Sequence, residues 1–174
     1  TGFEERIAML GGVDWAGIDF GLYGTWGLLG SRAPLRRHLA GGYVPNRAAA
    51  ELYRRAKIGI NLHRTSVGFG RNTVKVARAE SLNPRAYELA ATGTFHLSDY
   101  RAEVRELFGD LVPTFKSPAE LQRLIGYYLA HPDERADMAR RLPARVAGHS
   151  WDSRAAAMVE MLEGAMRVRE LVSV

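Results

Sequence analysis

"AESLNPRAYELAATGTFHLSD", residues 79–99, holds two elements and the turn between them. Asn83 followed by Pro84 is a helix start. The asparagine side chain caps a free amide, and proline at the first helical position gives up an N–H that has no partner there. Good helix formers carry the helix to position 92, and Gly93 ends it. The apolar run "TFHLS" (94–98) then reads as a strand. A helix that passes through one glycine into such a strand predicts an alternating α/β chain.

Working outward, the alternation continues on both sides. Upstream, "KIGINLH" (57–63) is a strand with Ile58, Ile60 and Leu62 on one face, and Asn46 caps a helix over "RAAAELYRRA" (47–56). "FEERIAML" (3–10) carries Phe3, Ile7 and Leu10 at helical spacing, and Gly11-Gly12 end it. "AGIDFGLYG" (16–24) reads as a strand, 25–41 as loop plus a short helical turn, and "GYV" (42–44) as a short strand. Downstream come a helix over 100–109 and a strand over 111–115. Helices opened by Ser117-Pro118 and by Pro132 follow, and a last amphipathic helix spans 152–171. Strands alternating with helices across short connections predict a Rossmann-like α/β fold, a parallel sheet with helices on both faces. The C-terminal third is helical. Residues 1–174 read as one domain, with no internal repeat and no second-domain boundary.

Composition bounds the partners. The 174 residues are 47% apolar and 25% charged, the balance of a soluble globular domain or of half a larger enzyme. No apolar run approaches the roughly 20 residues of a membrane span. Cysteine is absent, which excludes disulfides and thiolate metal sites and makes the reducing cytoplasm the expected compartment. The chain opens on Thr1 and enters a helix almost at once, so its start reads as a cut inside a larger protein. The net charge of +5 is mostly arginine, with lysine only at 57, 75 and 116. Nucleic acid, an acidic membrane surface and phosphorylated small molecules all suit such a charge.

In an open parallel sheet, ligands sit beyond the carboxyl ends of the strands. The loop after His63, "RTSVGFGRNTVKVARA" (64–79), is long, glycine-bearing and basic, and feeds the helix at Pro84. The positive end of that helix attracts an anion, and Arg85 adds a planar fork suited to phosphate oxygens. Glu88, at i+3, either pairs with Arg85 or accepts hydrogen bonds from vicinal hydroxyls such as those of ribose. Phosphate beside ribose describes a nucleotide. A capped helix start with a surface ion pair describes the same residues without any ligand. There is no Asp-x-Asp, no G-x-x-x-x-G-K-S/T, no G-x-G-x-x-G and no G-x-S-x-G, so the chemistries tied to those motifs have no support.

The stretch from "YRRAKIGINLH" (53–63) through "SLNPRAYELAATGTFHLSDY" (81–100) resembles the C-terminal, nucleotide-sugar-binding half of GT-B glycosyltransferases. It is similar in particular to the CgeB-like, spore-maturation subset. There, a strand ending I-x-L-N precedes a loop, then S-L-N-x-R-x-F-E and a small-residue helix end with glycine. Tyr87 stands here for the usual Phe. "FKSPAELQRLIGYYLAHPDERADMA" (115–139) and "HSWDSRAAAMVEML" (149–162) are similar to the family's helix pair and closing helix.

The resemblance implies a metal-independent glycosyltransferase without cofactor, with this chain as its donor-binding half. The donor would be a UDP-, GDP- or dTDP-linked sugar. Asn83 would lie at the site, Arg85 on the donor diphosphate and Glu88 on the ribose. Glu80 and Glu88 fit the E-x7-E spacing of retaining enzymes, in which the first glutamate touches the donor sugar. Otherwise the catalytic base and the acceptor belong to an N-terminal domain outside this chain, and the fragment alone is expected to be weak or inactive. Tyr23, Gly24 and Trp26 follow the second strand, where this fold approaches diphosphate or base. Val44 falls where the base meets backbone groups, and Asn61 and His63 end a strand facing the same cleft. Trp26 and His63 also read as packing residues, His149 as a link between helices, and His38, His96 and His131 as surface or packing residues. Two other readings stay open. One is a basic α/β module contacting nucleic acid through 64–78, with nucleic acid also conceivable as acceptor; the other is a degenerate glycosyltransferase-like scaffold.

Overall fold

A computed structural model describes residues 2–67, 74–76 and 80–172 of the chain. The first half runs α1 (Glu4–Gly11), β1 (Leu22–Tyr23), a 3-10 turn (Pro34–His38), β2 (Leu39–Gly41), α2 (Asn46–Arg55) and β3 (Gly59–Asn61). A short pair follows, β4 (Ser66–Val67) and β5 (Val74–Lys75), and then α3 (Pro84–Ala91) and β6 (His96–Asp99). The chain continues through α4 (Ala102–Phe108), β7 (Thr114–Phe115), α5 (Pro118–Ala130), α6 (Pro132–Val146) and α7 (Trp151–Val172).

Strands β3, β6 and β7 form a parallel sheet in that order, with Ile60 opposite Leu97 and Ser98 opposite Thr114. Parallel neighbours need crossovers, and α3 and α4 supply them. A separate parallel pair joins β1 to β2, and β4 pairs antiparallel with β5. The architecture is Rossmann-like α/β, as the alternation predicted. Its core is built from Leu89 of α3, Phe95 and Leu97 around β6, Phe108, Phe115, Leu121 and Leu142, all fully buried. Helix α3 lies close on the sheet because Gly59 leaves room: a Cβ there would stand 3.0 Å from Leu89 and 3.2 Å from the His96 Cβ.

Three local expectations are corrected. The strand expected over 16–24 shrinks to Leu22–Tyr23, because Trp15 stacks on Phe20 with ring centroids 3.6 Å apart and folds the segment back on itself. The second strand is Leu39–Gly41 rather than 42–44; the Gly24 N–H donates to both Gly41 and Gly42 carbonyls, and Tyr43 beyond them is 84% exposed. Asn46 is the first helical residue rather than a cap, and Pro45 precedes it without a side-chain bond. At β3, Ile58, Ile60 and Leu62 are partly buried and pack against the core, while Asn61 and, just beyond the strand, His63 are buried.

Helix signals carried over well. Ser117 Oγ accepts the Glu120 N–H at 3.2 Å while Glu120 Oε2 accepts the Lys116 N–H at 2.6 Å, a reciprocal cap that fixes the start of α5. Helix α7 is not amphipathic in its packing. Its side chains are exposed through Arg167 apart from Gly164, with Trp151, Met158, Met161 and Met166 among them. No helix of the described residues is long and apolar enough to cross a membrane.

Gly93, at φ +66°, lets the chain leave α3 and enter β6, with the Thr94 N–H reaching back to the Leu89 carbonyl at 2.9 Å. An added Cβ would meet the Ala139 carbonyl only at 3.7 Å, so the cost of a side chain here is strain and not collision. Gly93→Ala is expected to lower stability by about 1–2 kcal/mol in urea titrations, the left-handed penalty for an L-residue. An unchanged midpoint would contradict this account.

Candidate functional site

The carboxyl end of β3 and the start of α3 are tied together by two asparagines. Asn83 Oδ1 accepts the Ala86 N–H at 3.0 Å, and Asn83 Nδ2 donates to Asn61 Oδ1 at 3.0 Å. The segment entering α3 is pinned to the start of α4, since the Leu82 N–H donates to Glu103 Oε2 at 2.6 Å and the Ala102 N–H to Glu80 Oε2 at 3.3 Å. Glu80 therefore holds the first turn of α4 in this structure.

Arg85 is the second residue of α3, and Glu88 lies one turn further on the same exposed side. Arg85 Nε lies 3.4 Å from Glu88 Oε2, with the side chains 54% and 47% exposed. The Arg85 guanidinium also sits over the Tyr53 ring of α2, 5.3 Å from its centroid. Neither side chain is walled off, and an exposed i,i+3 pair of this kind holds its partners weakly.

Beside them lies a buried polar cluster. The His63 N–H and ring Nδ1 both meet Asp99 Oδ1, at 2.9 and 2.6 Å, and Arg101 Nη2 donates to Asp99 Oδ2 at 3.0 Å. Arg6 of α1 donates through Nε and Nη2 to the Leu62 carbonyl, at 3.1 and 2.7 Å. Burial lowers the Arg6 pKa, and nearby Arg85 adds to that while Asp99 and Glu5 oppose it. Asn61 Nδ2, His63 Nε2 and Arg101 Nε are buried without a hydrogen-bond partner among the described residues. Cations, a positive helix end and the orphan N–H groups of Asn61 and Arg101 at one strand edge suit an oxygen-rich anion; the accessible Glu88 suits hydroxyl donors. Among the described residues, no three His, Asp or Glu side chains are grouped to hold a metal ion.

The structure thus brings Asn61, His63 and Asn83 together, with Arg85 and Glu88 close by. Tyr23, Gly24, Trp26 and Val44 belong to the β1–β2 pair and its exits. The Trp26 indole donates to the Tyr23 carbonyl at 3.1 Å, and its ring packs so near Gly2 that a Cβ there would lie 2.3 Å away. His149 lies between α6 and α7 with its ring 5.5 Å from that of Tyr87, while His96 is fully buried. Within the 64–78 loop, residues 68–73 and 77–78 lie outside the described residues. A cavity of about 200 Å³ between α1 and the 3-10 turn, lined by Val13, Trp15, Leu35 and His38, includes none of the candidate residues.

Sequence reasoning missed Asp99, Arg101, Arg6 and Tyr53. A signal existed for the first: Asp99 closes β6 as His63 follows β3, and parallel neighbours bring such ends together.

Two comparisons bear on this arrangement. The model of the family described as glycosyl transferase-like matches residues 6–160. Spore protein CgeB of Bacillus subtilis (strain 168) is 31% identical over 98 residues, a stretch covering 56% of this chain and 30% of that protein. No solved structure matches. With the family match running from α1 into α7 and enclosing the whole strand-edge cluster, the chain belongs to the glycosyl transferase-like family.

Proposed function

We propose that this chain binds the nucleotide-sugar donor of a glycosyltransferase, with the start of α3 as the diphosphate site. The observation that carries this reading is the Asn61–Asn83–Ala86 tie. It fixes an open helix start at the carboxyl edge of a parallel strand, with an accessible arginine and glutamate beside it. The Ala86 N–H is already taken by the cap, so the positive helix end and Arg85 carry the attraction for phosphate. Arg85 exchanges its weak contact with Glu88 for phosphate oxygens, and Glu88 then accepts the ribose hydroxyls. As the glycosidic bond to the donor breaks, negative charge grows on the departing diphosphate, where fixed cationic donors stabilise it without rearrangement. Glu80 would have to release the Ala102 N–H to reach a donor sugar, so the proposal gives it no catalytic part. The base and the acceptor-binding surface are assigned to an N-terminal domain of the full protein.

The test is a thermal-shift and calorimetric screen with UDP, GDP and dTDP. At least one is expected to bind, and Arg85→Ala to weaken it tenfold or more, as the loss of a charge-assisted contact of about 1.5–3 kcal/mol implies. Glu88→Ala should weaken ribonucleotides several-fold. Failure of all three diphosphates to shift the native protein, or equal binding by native and variants, would refute the assignment.

A further inference from the structure

Tyr53 opens the stretch 53–63 with no site role assigned to it, yet it stands beside the two side chains on which the proposed donor site depends. Its ring is half-buried between α2 and α3, so packing fixes it, and the Arg85 guanidinium lies over its face at 5.3 Å. The Glu88 carboxylate lies near enough to interact with its hydroxyl. Burial pushes the Tyr53 pKa up and the Glu88 carboxylate adds to this, while Arg85 opposes it, so the phenol keeps its proton as a donor. The aromatic side chain on the other side of α3, Tyr87, is engaged elsewhere, by Arg154 at 5.0 Å and by His149.

We propose that Tyr53 is the positioning residue of the donor site, its ring holding Arg85 for the phosphates and its hydroxyl holding Glu88 for the ribose. The inference rests on the donor-site reading above. Its physical basis is what happens when a diphosphate arrives. Arg85 and Glu88, about half exposed and 3.4 Å apart, restrain each other only weakly. Once Arg85 turns to phosphate, Glu88 loses its cation and regains rotamer freedom, which ribose binding must then remove. A phenol donor already beside the carboxylate takes over that restraint. The ring meanwhile limits the arc through which the guanidinium swings. Tyr53 therefore couples the two arms of nucleotide recognition without touching the nucleotide.

The two roles separate in a pair of variants of the full chain. Titrations use UDP and GDP, their 2′-deoxy forms dUDP and dGDP, and the monophosphates UMP and GMP. Tyr53→Phe keeps the ring, so the preference for diphosphate over monophosphate should survive. The preference for ribose over deoxyribose should fall roughly three- to tenfold, one hydrogen bond to a charged group. Tyr53→Leu should lose both, with diphosphate affinity falling roughly three- to tenfold as the cation–π support goes. Should Tyr53→Leu fail to fold, the ribose ratio of Tyr53→Phe still decides, and a purely structural tyrosine would leave that ratio unmoved. Native-like ratios in Tyr53→Phe, with Arg85→Ala and Glu88→Ala still weakening binding, overturn the Tyr53 inference and leave the donor site standing. Binding indifferent to Arg85→Ala and Glu88→Ala overturns both.

Discussion

Asp99→Ala is expected to destabilise the fold by about 3–5 kcal/mol, the cost of stranding a buried partner rather than of losing a surface pair. One carboxylate serves three donors: the His63 N–H at 2.9 Å, the His63 ring nitrogen Nδ1 at 2.6 Å and Arg101 Nη2 at 3.0 Å. Around it the side chains are 3% exposed for His63, 13% for Arg101 and 17% for Asp99 itself, so water cannot readily replace what alanine removes. Arg101 Nε already lacks a partner, and the variant would leave its whole guanidinium without a counter-charge. Urea titration with an unchanged m-value measures the loss. The double variant Asp99→Ala/Arg101→Met should recover a good part of it, because the stranded cation is then gone as well. A loss under about 1 kcal/mol, the range of exposed pairs, would show that the cluster is solvated and that its geometry at the β3–β6 edge supports nothing.

That cluster marks the boundary of what the sequence made legible. Helix starts were readable because a cap is chemistry between neighbours: Asn83 with Ala86, and Ser117 with Glu120, lie three residues apart. Arg85 and Glu88 were readable for the same reason, as an i,i+3 pair on a recognisable helix. Strand faces were harder. The shared face of Ile58, Ile60 and Leu62 was legible and packs against the core, but the burial of Asn61 on β3 and of His63 just beyond it was not, because Asn83 and Asp99 arrive from other elements to partner them. A buried polar face needs partners, and nothing local announces a partner 36 residues away, as Asp99 is from His63, or 56 away, as Leu62 is from Arg6. Tyr53 escaped notice likewise, since its meaning depends on α2 lying against α3. Helix α7 shows the converse: its apolar residues suggested a packing face, and those through Met166 are exposed.

Acidification should weaken the fold through His96 by about 3 kcal/mol between pH 6.5 and pH 4, at about 1.4 kcal/mol for each tenfold difference in proton affinity between the folded and unfolded chain. His96 is fully buried in β6, its ring edge-on to Phe108 at 5.8 Å. Its Nδ1 pairs with the Thr94 carbonyl at 3.0 Å, and Nε2 has no partner among the described residues. A neutral ring with its proton on Nδ1 fits that environment; a second proton on Nε2 would sit in apolar surroundings with no acceptor. Burial, against the partial opposition of the Thr94 carbonyl and with a small contribution from nearby His63, therefore brings the pKa down to about 4. The sign follows. Between the ordinary histidine value of about 6.5 and the folded value, the unfolded chain takes up a proton that the folded chain refuses. Stability is thus intact above pH 6.5, erodes as the pH drops through the window, and loses nothing more from this group once the folded form protonates too. Carboxylates ordinarily titrate over an overlapping range, so native stability alone cannot isolate the effect. The difference between native and His96→Leu can, because every other group cancels. In urea titrations at pH 7, 5.5 and 4, that difference should move steadily in favour of the leucine variant as the pH falls. Parallel stability curves would mean that His96 protonates as readily inside the sheet as outside it, and that the unpartnered nitrogen reaches water.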